Sequence, residues 1–442
     1  MELTGEEKER QLKAYLELLK HPSISATGEG IRETSQLLRE LMESLGVSSS
    51  IVETAGHPVV YGEYSVGGSS TLLIYNHYDV QPVDPLEEWT SDPFSAEVRG
   101  GRVYARGASD NKGTLVARLF GSVKAVREGK VNLKFLYEGE EEIGSPNLSS
   151  FVEANSGKLK ANGVLMEGSS LDHRGRPLIV LGVKGLLYVQ LDISTGERDL
   201  HSSNAPIVYN PAWEMIRVLS TLVEDGKVKI PGFYDKVRPL NEREREMLKD
   251  YDVSPEELMG SLRVERLRFD DPQRLREALF GEPTCTIDGI VSGYIGKGSK
   301  TVVPHKASVK MDFRLVPDQD PKEVLQLLRA HLNRVGFKGT LTEMGLERPM
   351  RTSPDTRLVR ALEESAREVY GKNPVLVPNS AGTQPMGLFV ELLGVKEVAS
   401  AIGVGDPNSN AHAPNESIEL DNFFKAVEHT SSFIKWYSSN VY

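Results

Sequence analysis

The chain of 442 residues has a single cysteine, Cys285. One thiol cannot close an intrachain disulfide or build a thiolate metal cage, so any bound metal must rest on histidines and carboxylates. No apolar run approaches the roughly 20 residues needed to span a bilayer. Basic residues are outnumbered, 52 Lys and Arg against 63 Asp and Glu, for a net charge of −11. That balance argues against nucleic acid or an anionic membrane as the main partner. The first twenty residues are charged and amphipathic, without the apolar stretch of a signal peptide. A cytoplasmic protein is expected. The content that remains, 39% hydrophobic and 26% charged, is that of an ordinary globular protein, long enough for two domains.

Helical spacing is expected over residues 1–20 and at Leu38, Leu41, Met42 and Leu45, with Gly46 as a C-cap. Apolar β-type runs follow at 50–53, 59–64 and 71–76, then a helix over 112–128 and strands at 131–138 and 163–167. Alternating strands and helices predict an α/β domain with a mixed, mostly parallel sheet. From residue 186 the pattern changes. A long alternating strand (186–194), a helix over 210–226, strands at 286–295 and 307–316 and a helix at 321–336 give a β-α-β-β-α-β order. That order predicts an inserted α+β, ferredoxin-like domain. The charged stretch 227–280 carries no clear element. The α/β pattern resumes with a helix at 356–370, a strand at 374–378 and a final helix at 422–437. The expected division is 1–184 and 347–442 for one domain, with 185–346 inserted.

Five sites carry polar groups at strand ends or in loops of small residues. His77 and Asp79 close the apolar run 72–76. Ligands gather at the carboxyl ends of strands in such sheets, and Asp79 could accept the imidazole's second N–H. Taken alone, the pair is as readily a surface histidine and a turn aspartate. Asp110, in RGASDNKG, could bridge two cations through its two oxygens or simply cap the helix that follows. Glu141 and Glu142 lie in YEGEEEIGS; they form a solvated loop, or they need cations to ionise side by side. In the second case one ligates and the other serves as general base. Glu167 ends the strand GVLME, and His412 sits in the long loop GVGDPNSNAHAPNE. Two imidazoles and three carboxylates facing two divalent ions leave a residual charge that favours hydroxide.

In their order and approximate spacing, HYDVQP, WTSDPF with GGRVYARGASDNKG, EGEEEIG and AHAPNE resemble the aminoacylase–carnosinase family of co-catalytic zinc peptidases, metallopeptidase family M-twenty. The HYDVQP form is most similar to its cytosolic dipeptidase and carnosinase branch. The resemblance implies a phosphorylase/hydrolase-like catalytic domain and an inserted lid and dimerisation domain. It implies two divalent ions, zinc first and manganese or cobalt as alternatives. Asp110 would bridge them, His77 and Glu167 would complete one site, and Glu142 and His412 the other. Asp79 would orient His77, Glu141 would be the general base, and the Asp110–Asn111 peptide would be cis.

In the inserted domain the resemblance makes His201 an oxyanion donor reaching the partner subunit's site, with Thr301 beside it, although His201 also reads as a plain loop histidine. Arg314 would clamp a substrate carboxylate, against the alternative of a structural ion pair. Gly382 and Thr383 stand where the family has a Gly-Gly-Ser type substrate loop, and Glu416 is a further expected substrate contact. Glu167 stands where the branch carries aspartate. The expected activity is cleavage of dipeptides, or of a C-terminal residue from short peptides. The alternatives are an N-acyl amino acid deacylase on the same metal core and an inactive binding homologue. The expected partners are a small peptide and a second copy of the chain.

Overall fold

The computed structural model describes residues 4–439. The chain divides into two compact units. The first takes the residues up to 182, 352–378 and those from 388 onward; the second takes 183–351 and 379–387.

The first unit is built on an eight-stranded mixed sheet. Its N-terminal helix, Gly5–Lys20, starts in a capping box in which Thr4 and Glu7 satisfy each other's main-chain N–H. Met1, Glu2 and Leu3, included in the helix expected from the sequence, lie outside the described residues. The strand Ser70–His77 is buried almost throughout and pairs in parallel with Val131–Glu138 and Gly163–Met166. Gly163–Met166 in turn pairs in parallel with Val398–Ser400. Continuous apolar composition is what such a doubly covered strand requires. Because these four strands run the same way, their carboxyl ends deliver His77, the 139–144 loop, Glu167 and the loop after Ser400 to one edge. A small antiparallel sheet of Glu97–Arg99, Arg102–Tyr104 and Ser417–Glu419 pairs Tyr104 with Ser417. It brings the loop bearing Asp110 beside the loop bearing His412.

The sequence reading had not assigned Val398–Ser400 or Leu178–Val180. Each has three residues and takes its place from its neighbours, too short for periodicity to register.

The second unit is a four-stranded antiparallel sheet in the order Thr284–Ser292, Lys306–Leu315, Gly185–Ser194, Thr340–Glu347. Gly185–Ser194 alternates buried and half-buried residues. Its inward Leu187, Val189 and Leu191 pack with Met311, Phe313 and residues of the helices Pro211–Leu219 and Pro321–Arg334. This is the ferredoxin-like order.

Three details differ from expectation. The helix read as 210–226 ends at Leu219, and a hairpin of Val223–Glu224 with Lys227–Val228 follows. Its two turn residues, Asp225 and Gly226, both have positive φ, the Asp-Gly signature of a tight hairpin. The unassigned stretch holds three helices, Glu242–Lys249, Pro255–Leu262 and Pro272–Gly281. They start at the N-caps Asn241, Ser254 and Asp271, the last two followed by proline at the first helical position. Residues 379–387 join this unit rather than their sequence neighbours, for local reasons. Asn379 donates to Phe280 O at 2.6 Å and accepts from Arg351, and the Lys184 N–H donates to Gly382 O at 3.1 Å.

In the first unit the helices Lys112–Gly129 and Leu420–Ser438 pack closely at Gly121. A Cβ added there would come within 2.4 Å of Val427 O and 2.6 Å of Thr430 Cβ. Gly121→Val is therefore expected to destabilise the protein by about 1–3 kcal/mol or more through overpacking against backbone, read as a lower urea midpoint; an unchanged midpoint would contradict the close packing.

Candidate metal centre

At the carboxyl edge of the large sheet, two overlapping groups of nitrogen and oxygen ligands share one carboxylate. The candidate ligand atoms of His77, Asp110 and Glu167 all lie within 4.8 Å of one another, as do those of Asp110, Glu142 and His412. His77 Nε2 is 2.8 Å from Glu167 Oε2 and 3.1 Å from Asp110 Oδ1. The other Asp110 oxygen, Oδ2, is 3.0 Å from His412 Nε2, which is 3.1 Å from Glu142 Oε2. The five residues expected as ligands thus come together, and Asp110 faces both imidazoles with different oxygens. The Asp110–Asn111 peptide is cis. Glu141 stands at the rim with its Oε2 4.0 Å from His77 Nε2, and its side chain is 22% exposed.

The electrostatics describe a place short of positive charge. Burial works against a charged His77, but Glu167, Asp110 and Asp79 outweigh it and hold the imidazole pKa well above its usual value. Hydrogen bonds to Asp110 and Glu142 raise His412 to about 10. Burial first, then the charge of Glu167, Asp110 and Glu142, pushes Glu141 up to about 9. Burial raises Glu167 as well, against the pull of His77. Burial opposes an ionised Asp110, yet its bonds to His412 and His77 hold it below the ordinary carboxylate range. Glu142 Oε1 is buried and has no hydrogen-bond donor among the described residues, and buried Glu167 Oε2 has only the His77 imidazole close to it, at 2.8 Å. Buried carboxylate oxygens with no donor or only an imidazole beside them fit divalent cations that take nitrogen and oxygen ligands.

The surroundings fix this geometry through the backbone. Asp79 was expected to take the second imidazole N–H on its carboxylate. Instead His77 Nδ1 is 3.0 Å from the Asp79 main-chain carbonyl and 3.4 Å from Oδ1. The carboxylate accepts the main-chain N–H groups of Glu141, at 3.2 Å, and Glu142, at 3.0 Å. One residue thereby couples the histidine loop to the glutamate loop. Gln81, which the sequence reading did not single out, donates to Glu142 Oε2 at 2.9 Å.

Glu416 corrects an expectation. It was read as a substrate contact, yet it is fully buried and both its oxygens are engaged inside the unit. Oε2 accepts from Arg106 Nη1 at 2.9 Å and the Gly107 N–H at 3.0 Å. Oε1 accepts from the Ser109 N–H at 2.8 Å and the Asp110 N–H at 2.9 Å. A carboxylate so placed shapes the Asp110 loop and has no lone pair facing a ligand.

The other expected substrate residues all belong to the second unit. His201 is exposed on the short strand Leu200–His201, with Nδ1 2.9 Å from Ser203 Oγ and Nε2 3.3 Å from Thr301 Oγ1. Arg314 donates from Nη1 to Thr383 Oγ1 at 2.8 Å, and its Nε is 3.2 Å from Asp312 Oδ1. Gly382 donates its N–H to Ser380 Oγ at 3.0 Å.

Residues 73–436 match the profile of peptidase family M20/M25/M40. A solved metallo-carboxypeptidase of the M20 family, Sso-CP2 from Sulfolobus solfataricus, superposes with a TM-score of 0.91 at 55% identity, covering 97% of this chain and 99% of that one. The Cys-Gly metallodipeptidase dug1 of Schizosaccharomyces pombe is 30% identical over 390 residues, 84% of this chain and 81% of the relative. The human Beta-Ala-His dipeptidase is 29% identical over 392 residues, 85% of this chain and 76% of the relative.

The position of Glu416 separates a structural role from a ligand role by experiment. Glu416→Ala would strand the buried Arg106 guanidinium and is expected to cost about 3–5 kcal/mol of stability in denaturant unfolding. A variant of unchanged stability with a raised KM would restore the substrate contact.

Proposed function

This chain belongs to peptidase family M20/M25/M40, a metal-dependent hydrolase family by the names of its relatives, and on that premise we propose that it cleaves the peptide bond before a free C-terminal residue, in dipeptides and short peptides, with two divalent cations. The observation that carries this reading is the pair of ligand groups joined at Asp110, with the Glu141 carboxylate at the rim, 4.0 Å from His77 Nε2. His77, Asp110 and Glu167 would hold one cation, and Asp110, Glu142 and His412 the other; zinc suits this nitrogen and oxygen set, and manganese or cobalt would also fit. Such cations supply Lewis acidity, which polarises the scissile carbonyl and makes water acidic near neutral pH.

The protein's own groups handle the proton. Glu141 takes it from the attacking water as the new C–O bond forms and delivers it to the amine nitrogen as the C–N bond breaks. Asp79 keeps Glu141 and Glu142 in place through their main-chain N–H groups. Arg314 takes the substrate carboxylate; its fork is oriented by Asp312 and Thr383. Thr301, Gly382 and Thr383 are further substrate contacts, and His201, on a ribbon pinned to Val302–Val303, donates to the oxyanion. His201 does so in a partner subunit, within a homodimer formed by the inserted domain. Two features support that assembly. The edge strand Thr284–Ser292 exposes Ile287, Ile290 and Val291, and the helix Pro211–Leu219 exposes Trp213 and Ile216. Such an apolar edge is normally covered. A cytoplasmic site of action follows from the near absence of cysteine. Among the described residues no helix is long and apolar enough to cross a membrane.

The names of several relatives support a substrate ending in a free carboxylate. A metallo-carboxypeptidase is the relative at 55% identity, and dipeptidases stand at 29–30%. The test is a panel on metal-reconstituted enzyme: free dipeptides, N-blocked dipeptides, their C-terminal amides and N-acetyl amino acids. Cleavage of the free acids, with loss of about a hundredfold or more on amidation, is expected from removing a bidentate ion pair. Hydrolysis confined to N-acetyl amino acids would replace the peptidase reading with a deacylase. Glu141→Ala should lower kcat by about a hundredfold or more while cation content, measured by elemental analysis, stays at the wild-type level. Full turnover in that variant would remove Glu141 as the base.

A further inference from the structure

The two loops that supply His77 and Asp110 are tied together from behind by a segment that precedes the matched family region, which starts at residue 73. Tyr15, fully buried on the helix Gly5–Lys20, donates its hydroxyl to Ala108 O at 2.8 Å, two residues before Asp110. Its ring stacks on Phe423 with centroids 4.7 Å apart. Two residues after Asp110, the fully buried Lys112 reaches the other way. Its Nζ donates to His21 O at 2.6 Å and Leu18 O at 3.3 Å, carbonyls that the end of the helix leaves without intrahelical partners.

Just beyond the helix, Ser23 grips the other loop. Its hydroxyl donates to Tyr78 O at 2.6 Å, and its carbonyl accepts the Val80 N–H at 2.8 Å. Tyr78 lies between His77 and Asp79. The packing at this junction has no slack. A Cβ on Gly113 would meet Ala108 O at 2.2 Å and Tyr15 Oη at 3.1 Å.

From these contacts the geometry points to a clasp: Tyr15, Ser23 and Lys112 are positioning residues that fix the span between the His77 loop and the Asp110 loop and thereby set the affinity for the cation those two residues share. None of the three side chains is a ligand in this assignment. Each acts on the backbone that carries one, as the groups behind a metal's own ligands generally do. Glu416 holds the Asp110 loop by its N–H groups, whereas the clasp holds its carbonyl side and is the part that reaches both loops. The inference rests on the metal-centre reading of the preceding subsection.

The test uses Tyr15→Phe and Ser23→Ala, each of which removes one hydroxyl and leaves the fold's volume intact. Ser432→Ala serves as the control. Ser432 is buried and donates to Glu368 at 2.8 Å, between helices and away from both loops. Zinc affinity and stoichiometry are measured by competition with a chromophoric chelator, alongside thermal unfolding of the metal-free proteins and the KM and kcat of peptide cleavage. Both variants are expected to bind one of the two zinc ions about tenfold or more loosely, with kcat at subsaturating zinc reduced, KM little changed, and Ser23→Thr regaining the affinity. The control loses stability without losing affinity. Two zinc ions bound by wild type, with affinities in Tyr15→Phe and Ser23→Ala no weaker than in the control, would overturn the clasp alone. A wild-type protein that takes up no zinc would overturn the metal-centre reading together with it.

Discussion

Carboxylates gathered around two imidazoles, largely out of water, set the constraint on which the rest of this structure depends. Asp110 comes within 4.8 Å of both Glu142 and Glu167, and Glu141 within 4.8 Å of Glu142, distances at which two ionised carboxylates repel by about 3.5 kcal/mol at the effective dielectric of a protein. Several such pairs together rival the about 5–15 kcal/mol by which a protein is stable at all. The pKa pattern is the signature of that crowding, with histidines driven up and glutamates unwilling to ionise. Divalent cations held by such a cluster would meet the deficit directly.

The scaffold withstands the repulsion by holding main chain rather than side chain. Glu416 and Arg106 form a fully buried ion pair whose carboxylate also takes the N–H groups of Gly107, Ser109 and Asp110. Asp79 takes the N–H groups of Glu141 and Glu142. Tyr15, Ser23 and Lys112 hold the opposite side of the same loops. In each case it is main chain beside His77, Asp110, Glu141 or Glu142 that is held, and those four side chains are left to face one another. The mixed sheet supplies the common direction, because parallel strands present all their carboxyl ends on one edge. The second unit obeys a different economy of polar groups: its antiparallel sheet keeps one apolar face against two helices, and Arg314 points from the other register with its fork already paired to Asp312 and Thr383.

The sequence by itself determined the two periodicities, the residues that gather at the sheet edge and the family, because those depend on short stretches: an apolar run, the acid or imidazole that ends it, a loop of small residues. It also sufficed for the first five elements of the β-α-β-β-α-β order, each nine residues or longer, whereas the closing strand Thr340–Glu347, not named from the sequence, takes its place by pairing with Gly185–Ser194. What only the tertiary structure decided was partnership. Glu416 looked like any loop acid, and its burial against Arg106 joins positions 310 residues apart. Leu178–Val180 and Val398–Ser400 are strands because neighbours offer them hydrogen bonds, not because three residues prefer that state. Residues 379–387 belong to the second unit because Asn379, Gly382 and Thr383 find their hydrogen-bond partners there. Local sequence specifies which groups a segment offers; which of them are satisfied inside the protein, and which are left to meet a ligand, is settled only when distant segments fold against one another.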